Sequence, residues 1–400
     1  MRACAIAILS GALSLSTAMP ASSQQTIRVG ELNSYAKHPA FLEPYKKGWQ
    51  MAIDEINGAG GVLGKKLEVV SRDDGGNPGD AARVADELAI GQGLNILCGT
   101  FLSSVGLAIT EFAGKTKVFF LAAEPLTDKI TWQDGNRYTF RLRPSTYMQV
   151  AMLLPEALAA NKKRWALVYP NYEYGQSAAA AFKELMKAHQ RDIEFVTGQA
   201  SPLGKIDAGA VAQAIDDTKP DAIFSALFGS DLTTFVREGG TRGTFKDRIV
   251  VDLLGGEPEY LDPLKDEAPV GWIVTGYPWN EITTPEHKAF LAAYQKRYKD
   301  YPRLGSIVGY LTMKSLAAGI AKAGSTDTEK LVDAFGGLKV DGPFGPFVFR
   351  ASDHQSTLGA FVGKIALKNG HGTMVDFKYV DGASALPSDA EVKKLRSASD

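Results

Sequence analysis

The chain has 400 residues, 45% of them apolar, with 44 Lys+Arg against 45 Asp+Glu. That length suits two domains, and the apolar share is enough for two cores. The near-zero charge excludes a field-driven nucleic-acid binder and a polybasic membrane-surface protein, both of which carry a basic surplus.

Arg2, the apolar run 3–15, the small residues Ala18, Ala21, Ser22 and Ser23, and then Gln24 and Gln25 follow the order of a secretory leader. Cleavage is expected near residues 21–25. The run is shorter than the roughly 20 apolar residues of a membrane span. Cys4 lies before the run, too early for a lipid-attachment cysteine, and no later stretch reads as a span. A soluble periplasmic protein is therefore expected. Cys98 alone remains after cleavage, so no internal disulfide can form. It sits in the apolar run 94–98 and reads as a buried small hydrophobe.

Strands are expected over 26–32, 67–72, 94–98 and 118–121, alternating with helices over 44–59, 79–91 and 104–113. Trp49, Ile53 and Ile56 share one face of the first helix, and Asn77 and Asp80 give the second its start signals. The alternation then restarts. Helices are expected over 147–160, 175–189, 208–217 and 232–238, and strands over 164–169, 193–197, 222–226, 249–253 and 271–275. Two further helices are expected over 286–298 and 305–323. From Lys339 the texture changes to Gly, Pro and aromatics, 361–367 and 377–380 read as antiparallel strands, and a frayed polar end is expected after Gly382. Strand alternating with helix means βαβ units. The expected fold is α/β, with two parallel-sheet lobes joined by a hinge. Ligands bind at the carboxyl ends of such strands, so two facing lobes define a cleft that closes about the hinge.

Enzyme motifs fail. In Gly58-Ala59-Gly60-Gly61-Val62-Leu63-Gly64-Lys65, Ala59 stands where a phosphate-binding loop needs glycine, and Lys66 where it needs Ser or Thr. The segment follows a helix and reads as its C-terminal turn. His38, His189, His287, His354 and His371 are scattered without zinc-ligand spacing. No Gly-x-Ser-x-Gly elbow occurs. Asp73-Asp74 reads as a strand end capping the next turn rather than a metal pair. No catalytic residue, cofactor or metal is expected.

Three segments in order resemble the branched-chain-amino-acid-binding family of ABC-transporter periplasmic receptors, which have the type I periplasmic-binding fold and are leucine/isoleucine/valine-binding-like. They are the run 48–64 with its Asn57-Gly58-Ala59-Gly60-Gly61-Val62-Leu63-Gly64, then Asp73-Asp74 with Asn77-Pro78 and Ala81-Ala82, then Gly99-Thr100-Phe101-Leu102-Ser103-Ser104 followed by Ala122-Ala123-Glu124-Pro125-Leu126-Thr127. The resemblance spans about 26–380. It implies a non-enzymatic, monomeric receptor that hands a small molecule to an ABC permease in the inner membrane. It also implies this division: signal peptide 1–25, first lobe 26–143 plus 276–338, second lobe 144–275 plus 339–385, flexible tail 386–400.

Site residues carry over by position. Ser103 and Ser104 match the serine that receives a ligand carboxylate, where a helix N-terminus also favours anions; a plain helix cap is the alternative. Ala122 and Ala123 match a backbone clamp, but Glu124 replaces the family's threonine, and a carboxylate beside a ligand carboxylate is repulsive. Tyr172 or Tyr174 supplies the aromatic over the ligand, Phe228 and Gly229 another contact. Glu257, in Gly255-Gly256-Glu257, matches the acid that holds an α-ammonium; a surface or capping role is the alternative. Tyr35 and Phe41 come from the first loop, and Tyr277 and Trp279 from the hinge. The ligand is left between an amino acid or related organic acid, an aromatic acid, and an amide or urea-like solute. A sensor module on the same fold is the rival to a transporter, and a hydrolase on an α/β scaffold the rival in another class.

Overall fold

A computed structural model describes residues 26–396; the leader expected over 1–25 lies outside them. The first sheet is built from Thr26–Asn33 (β1), Lys66–Asp73 (β2), Ile96–Gly99 (β3), Phe119–Ala122 (β4) and Thr139–Arg141 (β5), all parallel in the order β2-β1-β3-β4-β5. Between them run Pro39–Gly58 (α1), Pro78–Asp86 (α2) and Ser103–Thr116 (α3). The helix expected from Pro44 starts at Pro39, since proline suits a first helical turn and Phe41, Leu42 and Tyr45 all turn into the core.

The second sheet joins Arg164–Pro170 (β6), Glu194–Ser201 (β7), Ala222–Ser225 (β8), Ile249–Gly256 (β9) and Ile273–Gly276 (β10) in parallel. Its helices are Thr146–Ala159 (α4), Glu173–His189 (α5), Ala208–Asp217 (α6), Gly229–Arg242 (α7) and the single turn Pro258–Leu261 (α8). Central strands such as β8 are buried throughout and read as unbroken apolar runs because helices cover both faces.

The chain returns to the first sheet through Pro285–Tyr298 (α9), Leu304–Ala323 (α10) and Thr328–Phe335 (α11). Helix α10 is long and apolar enough to cross a membrane by length and composition, against the sequence expectation that no later stretch is. It is mostly buried, lying along α1. The two helices approach closely: a Cβ on Gly48 would sit 2.0 Å from the Ser306 carbonyl oxygen, and one on Gly309 2.0 Å from that of Tyr45.

A hairpin of Lys339–Gly342 (β11) and Gly345–Val348 (β12) follows. Its β11 strand contacts α10, with Val340 and Phe347 buried, although the sequence division groups it with the second lobe. Ala360–Lys368 (β13) and His371–Val380 (β14) then add antiparallel to β10, giving the order β14-β13-β10-β9-β8-β6-β7. Residues 382–396 are not frayed as expected. Asp389–Leu395 (α12) is a helix with a reciprocal Ser388–Glu391 cap, Val392 is fully buried, and Arg396 donates to the Thr131 and Asn136 carbonyls. The capping pair at 388 and 391 was the missed signal. Three chain passages, 142–145, 277–284 and 349–359, link the two sheets.

Candidate functional site: the cleft between the sheets

The carboxyl ends of both sheets converge on one small cavity. Its walls are Phe101, Ser103, Glu124, Leu126 and Arg143 from the first sheet's side, and Tyr172, Tyr174, Phe228, Leu254 and Tyr260 from the second's. The cavity holds about 20 Å³, room for one water. A groove of about 640 Å³ lies beside it, lined by Lys37, His38 and Phe41 from one side and by Lys205, Phe228 and Asp231 from the other. Phe101, Phe228 and Tyr260 line both spaces.

Several of these residues, and Glu257 behind the wall, are set by a strand end or a helix start. Glu124 follows β4, Arg143 follows β5, and Glu257 is the residue before α8, just past β9. Tyr172 precedes α5 and Phe228 precedes α7. The rings make a connected surface: His38–Phe101 at 4.9 Å, Phe41–Phe101 at 5.2 Å, Phe101–Phe228 at 6.0 Å and Tyr174–Phe228 at 5.7 Å between centroids.

Arg143 is the electrostatic centre. Its Nη1 donates to Glu124 Oε2 at 3.2 Å and its Nη2 to Glu257 Oε1 at 2.6 Å, while Phe41 lies 5.5 Å from the guanidinium. Both carboxylates are fully buried. Burial opposes the arginine's charge, but Glu257 and Glu124 together hold its pKa above the ordinary value. Burial pushes Glu124 well up despite Arg143, and Glu257 up as well. Neighbouring Glu259 is pushed up to about 8, by burial and by Glu257. Three buried carboxyls therefore share one fixed cation, and they cannot all be ionised together. Glu124 Oε1, Glu257 Oε2 and the Tyr174 hydroxyl are buried without a hydrogen-bond partner.

The other expected site residues are placed as follows. Ser103 lines the cavity, with its Oγ accepting from Leu126 N at 3.2 Å and Thr127 N at 3.1 Å, so it also shapes the loop after β4. It is not the helix cap: Leu102 holds that position, without a side-chain bond. Ser104 stands one residue along α3 and is not in the cavity wall. Ala122 and Ala123 are fully buried and spend backbone groups on the ladder, Leu142 N to Ala122 O and Ala123 N to Gly99 O, both 2.9 Å. Tyr35 turns inward, donating to Glu31 Oε1 and accepting from Trp49 Nε1, each at 3.1 Å. Phe41 and Gly229 line the outer groove. Tyr277 lies in the second passage, its hydroxyl 2.6 Å from His287 Nε2 and its ring against Phe344, outside the cavity wall. Trp279 stacks on Tyr301 at 4.5 Å. Asp73 and Asp74 cap the turn, accepting from Gly75 N and Gly76 N at 2.8 Å each.

Arg143, Phe101, Leu126, Leu254 and Tyr260 were not expected at the site. Arg143 left one signal: a charge beside Pro144 in the run that leaves the first lobe. Among the described residues no group of three or more His, Cys, Asp or Glu could hold a metal ion.

A family model described as periplasmic binding protein matches residues 33–371. The chain belongs to the periplasmic binding protein family. Within it, a Leu/Ile/Val-binding protein homolog 7 of Brucella suis is 26% identical over 351 residues, covering 83% of this chain and 86% of that one. Two solved structures share the fold. A solute-binding protein of an ABC transporter from Rhodopseudomonas palustris, in complex with 3,4-dihydroxybenzoic acid, superposes with a TM-score of 0.79 at 23% identity, covering 89% of this chain and 98% of that one. A leucine-, isoleucine-, valine-, threonine- and alanine-binding protein from Brucella ovis, in a closed conformation, does so with a TM-score of 0.79 at 20% identity over 91% and 97%. These place this periplasmic binding protein in the type I, two-sheet fold.

Proposed function

We propose that the chain is the extracytoplasmic receptor of an ABC importer, capturing an amino acid or a related small organic molecule between its two lobes. One observation carries the reading: a cavity walled from both sheets at once, with buried polar atoms that have no partner within the protein. Such a site is completed by a ligand and opened by lobe separation. The first lobe comprises the first sheet with its helices, the second lobe the second sheet with its own. The protein works as a monomer in the periplasm after losing its leader near residues 21–25, and its partner is an inner-membrane permease. The Rhodopseudomonas relative's aromatic-acid complex and this cleft's ring-rich wall favour an aromatic acid as the second reading.

A thermal-shift screen of the exported protein against amino acids, aromatic acids and amides tests this. A ligand that binds only the folded state, at a hundredfold excess over its Kd, adds about 2.7 kcal/mol of stability. A shift with one class identifies the solute. No shift in a screen that includes all three classes counts against capture of such a solute.

A further inference from the structure

We propose that the groove beside the cavity is a second compartment of the ligand site, and that it takes the anionic far end of an elongated solute, a second carboxylate, between Lys37 of the first lobe and Lys205 of the second. This rests on the reading of the cleft as the ligand site and extends it from the solute's head to its tail.

The inner cavity of about 20 Å³ shares Phe101, Phe228 and Tyr260 with a groove of about 640 Å³, so a solute seated at these rings enters the groove as soon as it extends beyond its head. The groove falls in the size range of small-molecule pockets, and the inner cavity does not. Lys37 and Lys205 stand in its wall from opposite lobes, both exposed, and among the described residues neither ammonium forms an ion pair or a hydrogen bond. On each side the acids are spent on backbone and hydroxyl groups around the lysine's own loop. Asp231, the one acid lining the groove among the described residues, accepts from Gly204 N at 2.7 Å and Ile206 N at 3.2 Å, the residues flanking Lys205. Asp73 accepts from Ala36 N and Gly75 N, both at 2.8 Å, and Asp74 Oδ1 from Ser34 Oγ at 2.7 Å and Gly76 N at 2.8 Å. Burial, and then Lys37, push His38 down to about 4, so its ring adds no charge at neutral pH. The groove thus carries two free cations against one committed carboxylate. Helices α1 and α7 also begin at its rim, Pro39 and Ala40 on one side and Gly229 and Ser230 on the other, and neither start has a side-chain cap bond. Open first-turn N–H groups add to the attraction for an anion. A neutral far end gains nothing from the lysines. A carboxylate pairs with them, and by touching both lobes it favours the closed form.

The test is calorimetric titration of the exported protein, at low and at moderate ionic strength, with two pairs of probes that share a head and differ only at the far end. One pair is L-2-aminosuberate and its far-end carboxamide; the other is 4-(2-carboxyethyl)benzoate and its far-end carboxamide. In at least one pair the dicarboxylate is expected to bind about fivefold or more tighter at low salt, with the margin shrinking as salt rises. Lys37→Gln and Lys205→Gln, at exposed side chains on opposite lobes, are each expected to cut that margin by about half or more. A carboxamide member that binds as tightly as its dicarboxylate in both pairs, or a margin that both variants leave intact, overturns the tail compartment while leaving the receptor reading in place. Silence from all four probes, where shorter solutes bind, overturns the elongated solute; silence from every solute tried overturns the cleft reading and this proposal with it.

Discussion

Arg143 is a buried cation whose two direct partners have nothing else to neutralise them. Removing one member of such a set leaves an uncompensated buried charge, typically costing about 3–5 kcal/mol. Arg143→Met, which keeps most of the volume, is therefore expected to lower stability by that order in urea titration; a loss under about 1 kcal/mol would mean the acids simply protonate at no cost. Glu31 gives a cleaner titration. It is a fully buried residue of β1, accepting hydrogen bonds from Tyr35 (3.1 Å) and Ser71 (2.6 Å), and burial pushes its pKa up to about 8. A carboxyl whose folded pKa lies above its unfolded value of about 4.5 contributes stability that is complete at low pH and is lost as pH rises through the folded value. Tm is expected to fall between about pH 5 and 9, with Glu31→Gln flattening part of the slope. Asp252, raised to about 7, and Glu259 contribute with the same sign. A Tm that rises over this range, or an unchanged slope in the variant, sinks the assignment. At this scale the acids and rings of the candidate site came from the family resemblance, at positions that fall at strand ends and helix starts. The sequence did not expose Arg143, because a charge at a strand end is ordinarily solvated and only the three-dimensional meeting of β4, β5 and β9 buries it.

At the scale of elements, the α1–α10 contact is a close seam. The glycines at 48 and 309 let the two backbones meet, with no room for even a methyl group. Gly309→Ala gains about 0.5–1 kcal/mol in intrinsic helix preference. It must also push α10 off Tyr45, and overpacking of this kind costs about 1–3 kcal/mol. The expected net result is destabilisation of the first lobe, read by chemical denaturation or by faster amide exchange in α1 and α10. A stabilised variant would show that the seam is loose. Most of the helices were legible in periodicity, and so was the antiparallel ending of the second sheet, but α11 and the single turn α8 were not expected. The three-residue β5 and the α12 turn were not. Thr139–Arg141 is too short to show a pattern, and the buried Arg141 is held by non-periodic contacts to Thr131 Oγ1 (3.1 Å), Gln355 Oε1 (2.5 Å) and the Thr127 carbonyl. The α10 helix was legible as a helix, and its composition alone would also suit a bilayer, since burial inside a lobe and burial in a bilayer ask for the same composition.

For the whole molecule, the proposed capture of a solute in a cavity of about 20 Å³ requires the lobes to part. Several contacts then have to break together. Arg303, at the start of α10, pairs with Asp262, just past α8, at 2.8 Å, and Gly305 N donates to Glu259 Oε1 at 2.7 Å. On the other side Thr127 Oγ1 donates to Glu173 at 2.7 Å and Asp128 N to Ser177 Oγ at 3.3 Å. The alternation of strands and helices in the sequence predicted two lobes and a cleft, but which side chains hold the cleft shut depends on partners far apart in the chain. The Arg303–Asp262 pair is only partly exposed, so it biases closure by about 0.5–1 kcal/mol, a two- to fivefold change in the closed-to-open ratio. Where closure is required for capture, apparent affinity scales with the closed population. Arg303→Ala is therefore expected to weaken solute binding by that factor and to enlarge the ligand-free radius of gyration in small-angle scattering, while saturating solute restores the compact value. An unchanged Kd together with an unchanged radius would place the pair outside the closing motion, and the hinge would then have to be sought away from α8 and α10.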